Sequence, residues 1–117
     1  MPYLKIQTNT FTGDENGFLR RASFRAAAIL EKPEEAMCVA LEPSVPMLLG
    51  GTDAPAVFAK LKGLNFPEER TAEIAAQLSA FIAEELEVPT ERIYCIFENV
   101  SRHMWAWKGT TFDAMGK

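Results

Sequence analysis

Pro33-Glu34-Glu35-Ala36-Met37-Cys38-Val39-Ala40-Leu41-Glu42 returns 56 residues later as Pro89-Thr90-Glu91-Arg92-Ile93-Tyr94-Cys95-Ile96-Phe97-Glu98. The prolines and two glutamates coincide, and the apolar run between them has equal length. At the same offset Leu30 meets Leu86 and Ala27 meets Ala83. Self-similarity at a fixed offset marks a repeated supersecondary unit. The chain therefore reads as two copies of one strand–helix–strand module, spanning about 2–50 and 57–112, within a single domain of residues 1–117.

Working outward from the repeat, the first unit opens with a strand from Tyr3 to Thr8. A turn around Thr12 to Gly17 leads into a helix with Phe18, Leu19, Ala22, Ala26, Ile29 and Leu30 on one face. Its partner strand is Met37 to Leu41. The second unit has a strand from Val57 to Leu61 and a turn through Gly63. Asn65, with Glu68 three residues on and Pro67 in the first turn, predicts a helix start. Ile74, Leu78, Phe81, Ile82 and Leu86 then mark the helix face, and Ile93 to Phe97 the closing strand. The two strands of each unit are expected to be parallel, with a right-handed crossover. The fold class is α/β in the α+β sense: a four-stranded sheet with two helices on one face.

Met37–Leu41 and Ile93–Phe97 are apolar without alternation, and such strands are normally covered on both faces. Two helices cover one face only, so self-association is expected to cover the other. It would also account for Met104 to Phe112, which is rich in aromatics and has no further element to cover.

Net charge is −4 and no basic stripe is present, which argues against a nucleic-acid or anionic-membrane surface. Arg20, Arg21 and Arg25 fall at helical spacing as a solvated face. Cys38 and Cys95 belong to no Cys-x-x-Cys pair and read as two buried, reduced thiols. The single histidine, His103, makes an imidazole metal site improbable, and no metal is expected. No apolar run approaches the ~20 residues of a membrane span. Lys5, Gln7, Thr8 and Asn9 interrupt any signal-peptide core. A cytoplasmic protein is expected, with any release proceeding without a signal peptide.

Pro2 follows the initiator methionine directly. Removal of Met1 would leave a secondary amine at the head of an apolar strand. Burial lowers an amine's pKa below the ordinary ~7.7–8.0, so this nitrogen could act as a general base. Taken alone, Pro2 reads rather as a plain strand-edge residue with one donor fewer to satisfy.

Taken together, these residues resemble the macrophage migration inhibitory factor family of the tautomerase superfamily. The resemblance rests on Met1-Pro2 opening a strand that ends Thr8-Asn9, and on Asn16-Gly17-Phe18-Leu19. It continues through Lys32-Pro33, Met47-Leu48-Leu49-Gly50-Gly51, Arg92-Ile93-Tyr94, Trp107 and Thr111-Phe112. It implies a homotrimer whose three sheets form a central barrel wrapped by six helices, with active sites between subunits. It also implies cofactor-free keto–enol tautomerisation of arylpyruvates such as phenylpyruvate. Pro2 would be the base and Lys32 the partner of the substrate carboxylate. The Leu64 backbone amide would contact the same carboxylate, and Tyr94 would come from the neighbouring subunit. Trp105, Trp107 and Phe112 would form an apolar wall. Without the resemblance, Lys32 is a solvated lysine at a helix C-terminus, where the dipole favours cations.

The chain departs from the family's pattern in several places. Ala56-Val57-Phe58-Ala59 stands where vertebrate members carry Cys-x-x-Cys, so thiol–disulfide oxidoreductase activity is not expected. Ile96 replaces an active-site asparagine, Ala36 a pocket-mouth tyrosine, and Arg102-His103-Met104 a stretch of small residues. Two other readings stand beside the phenylpyruvate tautomerase: a cytokine-like signalling protein with a vestigial pocket, and a relative of D-dopachrome type with another substrate.

Overall fold

In the computed structural model, which describes residues 1–11 and 13–116, each half folds as strand, helix, strand. The first half comprises β1 (Tyr3–Thr8), α1 (Glu15–Leu30) and β2 (Cys38–Glu42); the second comprises β3 (Val57–Leu64), α2 (Thr71–Leu86) and β4 (Ile93–Val100). One sheet runs in the order β2-β1-β3-β4, with parallel outer pairs and an antiparallel pair at its centre. A small hairpin, β5 (Ala106–Trp107) with β6 (Thr110–Thr111), follows. Thr12, part of the expected first turn, lies outside the described residues.

Strand alternation decides where the core lies. Leu4, Ile6 and Thr8 of β1 are buried, as are Val57, Ala59 and Leu61 of β3. They pack with Phe18, Ala22, Ala26 and Ile29 of α1 and with Ile74, Leu78, Phe81 and Ile82 of α2. Phe18 and Phe81 stack at 6.1 Å between the two helices. Full burial of each large apolar side chain contributes roughly 1.5–3 kcal/mol, so this one-sided layer holds the two units together. Leu19 is only half-buried, at the margin of the expected face.

The opposite face is mixed rather than uniformly apolar. Phe58, Tyr94 and Ile96 lie there among Lys5, Gln7, Lys60 and Lys62. Glu42 accepts from Gln7 at 2.9 Å and pairs with Lys5 at 3.4 Å, and Lys62 pairs with Glu98 at 3.7 Å. The runs that look continuous in sequence therefore alternate in place. This corrects the reading of the cysteines as buried. Cys38 is exposed because it shares the open face with Tyr3, its partner in the ladder, while Cys95 points to the helix side and is half-buried. Both are free thiols, and burial pushes Cys95 up to about 11.

Two boundaries also differ. β3 runs through Gly63 to Leu64, and the turn comes at Asn65, which is left-handed at φ 48°. Asn65 does not cap α2. The 3-10 turn Glu68–Arg70 precedes the helix, which starts at Thr71 without a side-chain cap.

The connection between the halves is pinned from three sides. Arg92 donates to the carbonyls of Leu49, Thr52, Ala54 and Pro55 at 3.0–3.3 Å. Asn9 accepts from the Ala56 amide at 2.8 Å and donates to the Ala54 carbonyl at 3.0 Å, while Thr8 Oγ1 donates to the Ala56 carbonyl at 2.8 Å. Gly50 and Gly51, at φ 63° and 80°, form the two-residue turn between Leu49 and Thr52, as a type I′ geometry requires. No helix among the described residues is long and apolar enough to cross a membrane.

Candidate active site

Pro2 is buried at the head of β1, and its carbonyl accepts from the Cys38 amide at 3.1 Å. Tyr3 stands opposite Lys62 in the antiparallel ladder. Continuing that register one step sets Pro2 across from Gly63, beside Leu64. Leu64 is buried and is itself paired with Val100 of β4. At this end of the sheet lies a hollow of about 310 Å³, lined by Tyr3, Lys62, Glu98, Val100, Met104, Trp105 and Ala106.

Lys32 reaches this end because of how α1 stops. Glu31 takes the left-handed conformation at φ 57°, and the amides of Glu31 and Lys32 turn back to the carbonyls of Ala28 and Ala27 at 3.2 and 3.0 Å. This closes the helix in a Schellman-like turn, and Pro33 prevents its continuation. The exposed Lys32 is close enough for its charge to act on the N-terminal amine. Burial, first, and Lys32, second, hold the Met1 amine below its ordinary value of 8.0. A desolvated amine and a nearby cation that shifts it toward its neutral form are what a general base needs.

The repeat explains why one chain builds this arrangement once. α2 ends in the same turn, with Glu87 at φ 55° and the Val88 amide on the Ala83 carbonyl at 3.3 Å. Lys32 there becomes Val88, which is 2% exposed and part of the core.

Tyr94 is not brought to this end. It opens β4 beside Phe58, with ring centroids 6.0 Å apart. Six residues of strand separate it from Val100, roughly 20 Å at 3.3 Å per residue. Tyr94 instead lines a second hollow of about 160 Å³ with Gln7, Met47, Leu48 and Leu49. Trp105 lines the hollow beside Tyr3, whereas Trp107 and Phe112 stack on one another in the hairpin at 6.1 Å, with Lys108 over the indole at 4.5 Å. The aromatic tail thus has an element of its own. Ile96 lies on the open face, and Ala36 sits in a 3-10 turn before β2.

Two supporting residues escaped the sequence reading. Asn99 accepts from the Phe66 amide at 3.1 Å and donates to Glu68 at 2.8 Å, holding the turn just after Leu64. Arg102 donates to the Phe112 carbonyl at 2.6 Å and ties down the hairpin. A polar residue late in an apolar strand was the only signal for Asn99.

A duplicated β-α-β sheet carrying a buried proline at residue 2 and a lysine at the first helix end defines a tautomerase-type fold. The family model for macrophage migration inhibitory factor (MIF) matches residues 1–113. A macrophage migration inhibitory factor homolog of Brugia malayi is 30% identical over 115 residues, covering 96% of this chain and 99% of the relative. Bovine D-dopachrome decarboxylase is 26% identical, with 94% and 96% covered. The crystal structure of the homologue from Prochlorococcus marinus superposes with a TM-score of 0.86 at 30% identity, covering 94% of this chain and 98% of that one. The chain belongs to the macrophage migration inhibitory factor family, within the tautomerase superfamily.

Proposed function

We propose that this protein is a keto–enol tautomerase of phenylpyruvate-type 2-oxo acids, acting as a homotrimer with Pro2 as general base once Met1 is removed. The observation that carries the reading is the convergence at one sheet end of a buried Pro2 and Lys32, whose charge acts on the Met1 amine one residue before it. The unprotonated ring nitrogen takes the proton from the carbon next to the ketone. The carbon–carbon double bond forms as the carbonyl becomes an enol, and the proton is returned to oxygen, so the reaction balances with one base and no redox partner. Lys32 holds the substrate carboxylate, as does the Leu64 amide. Trp105, at the hollow, begins the apolar wall, and in the assembled protein the stacked Trp107 and Phe112 of the hairpin would complete it.

Tyr94 fits this reading only as a neighbour's contribution, since it stands about 20 Å from its own chain's Pro2 end. Similarity to a D-dopachrome decarboxylase supports a second reading, the same base with a bulkier cyclic substrate.

The test is turnover of phenylpyruvate enol by protein whose N-terminus has been verified by mass. Pro2→Gly is expected to lower kcat/KM by about 10²–10⁴-fold with folding retained. Insertion of alanine between Met1 and Pro2 makes the nitrogen an amide and should abolish turnover. Lys32→Ala should raise KM more than it lowers kcat. Equal turnover by the extended and the trimmed protein would overturn the reading.

A further inference from the structure

The last turn of α1 presents carbonyls that have no amide of their own helix to accept from. Lys32 is the nearest cation in sequence to those carbonyls, and Glu31 is its immediate neighbour. Left alone, the ammonium would fold back on one or the other, since helix C-termini attract cations. The structure gives the carbonyl to a different residue and sets that residue's charge beside the carboxylate. Arg70, in the 3-10 turn before α2, donates Nη2 to the Ile29 carbonyl at 2.9 Å. The same nitrogen lies 3.7 Å from the Glu31 carboxylate. Arg70 is itself locked by Glu73, through Nη2 at 2.9 Å and Nε at 3.3 Å. Arg70 is about one-fifth exposed, a planar fork set between two helices, whereas the Glu31 side chain is largely in solvent. Among the described residues, no ion pair of Lys32 falls within 4.0 Å.

We infer that Arg70 is a positioning residue: by occupying the Ile29 carbonyl and setting its own charge beside the Glu31 carboxylate, it keeps the Lys32 ammonium free for the anionic group of a substrate. The inference deepens the tautomerase reading and rests on it only for the identity of that anion. The pseudo-symmetric half supports the assignment. At the 56-residue offset Arg70 corresponds to Asp14 and Lys32 to the buried Val88, so the half that lacks the lysine also lacks the arginine.

Two experiments test it. In the first, lysine acylation by an N-hydroxysuccinimide ester is followed by peptide mass spectrometry, with Lys32 normalised to the other lysines. Arg70→Ala should slow Lys32 labelling about threefold to tenfold, a size typical of coupling between neighbouring charges, and adding Glu31→Gln should restore most of it. Unchanged Lys32 labelling in folded Arg70→Ala protein overturns the inference whether or not the protein turns over phenylpyruvate. In the second, Arg70→Ala should raise KM for phenylpyruvate by a similar factor with kcat nearly kept, and should leave KM for the methyl ester of phenylpyruvate unchanged. In the Lys32→Ala background Arg70→Ala should add nothing to KM. An equal KM rise with or without Lys32, or with the ester, would mean that Arg70 serves only folding. Absence of turnover in the wild-type protein would sink the tautomerase reading alone and leave the labelling result standing.

Discussion

At the scale of single residues, chemistry concentrates where charge is denied water. The Met1 amine is held below 8.0 by burial and by Lys32, and the sign of its pH dependence follows. An amine with a folded pKa below its unfolded value binds fewer protons folded than unfolded between the two values. Stability therefore rises with pH across that window, and the penalty is fully present below the folded value. Once Met1 is removed, turnover should follow the corresponding ionisation of the Pro2 amine, because the base is the unprotonated form. In trimmed protein the Pro2 nitrogen becomes the terminal amine, and the kcat/KM profile is expected to climb through its single ionisation, below the ordinary α-amino value of about 7.7–8.0, and then level. Lys32→Ala should move that pKa upward by removing the neighbouring positive charge. A profile flat from pH 5 to 8, or one unmoved by Lys32→Ala, would remove the amine from the mechanism. Cys95 shows the contrasting case. Burial alone pushes its thiol up to about 11, so it stays protonated at neutral pH and is a packing residue rather than a nucleophile.

Among the elements, the connection between the two halves depends on one guanidinium. Four carbonyls from Leu49 to Pro55 converge on Arg92, and hydrogen bonds to charged groups are each worth about 1.5–3 kcal/mol. Arg92→Ala is expected to cost about 2–3 kcal/mol net in chemical denaturation. Arg92→Lys should recover little, since an ammonium cannot serve four acceptors spread around a planar fork. A lysine variant as stable as wild type would show that the clamp is incidental. This clamp also shows what was legible in the sequence. The 56-residue offset carries over to identical left-handed helix ends at Glu31 and Glu87, each followed by a proline and a 3-10 turn, so the duplicated architecture could be read directly. The resemblance likewise gathered Pro2, Lys32 and Leu64, which the fold sets at one end of the sheet. Asn65 misled because its short polar side chain suits a left-handed turn as well as a helix cap. The cysteines misled because an apolar run does not say which of its residues faces outward until the strand is placed. Arg70, Asn99 and Arg102 could not be found, since a side chain bonded to a backbone carbonyl or amide distant in sequence leaves no local pattern.

For the whole molecule, the sheet is covered on one side only. Tyr94 is 52% and Ile96 47% exposed on the open face, and Leu48, at 70%, adjoins them at the Tyr94 hollow. Both outer strands, β2 and β4, leave an edge without a partner in the chain. Unpaired edges and exposed apolar side chains are liabilities that association removes. The open face is not a second core, however. Lys5 and Lys60 stand directly opposite each other in the ladder, and Lys60 is followed by Ile96 in the next strand. A partly charged face is better suited to line a hydrated interior than to pack flat against a second sheet, which favours a closed ring of chains over a face-to-face dimer. We therefore expect sedimentation to give a species of three chains of 13.0 kDa each. Ile96→Lys would extend the Lys5–Lys60 row by a third like charge. Within one chain such a pair costs only about 0.2–1 kcal/mol, but around a ring it recurs in every subunit. That variant should shift the sedimenting species toward a folded monomer on dilution, with helix content retained, and turnover should fall in step with the loss of association, because Tyr94 is proposed to act at a neighbour's Pro2. Ile96→Glu, set beside Lys60, should dissociate the ring less. A wild-type protein that sediments as a single 13.0 kDa chain at micromolar concentration while turning over phenylpyruvate would refute both the ring and the intersubunit role of Tyr94.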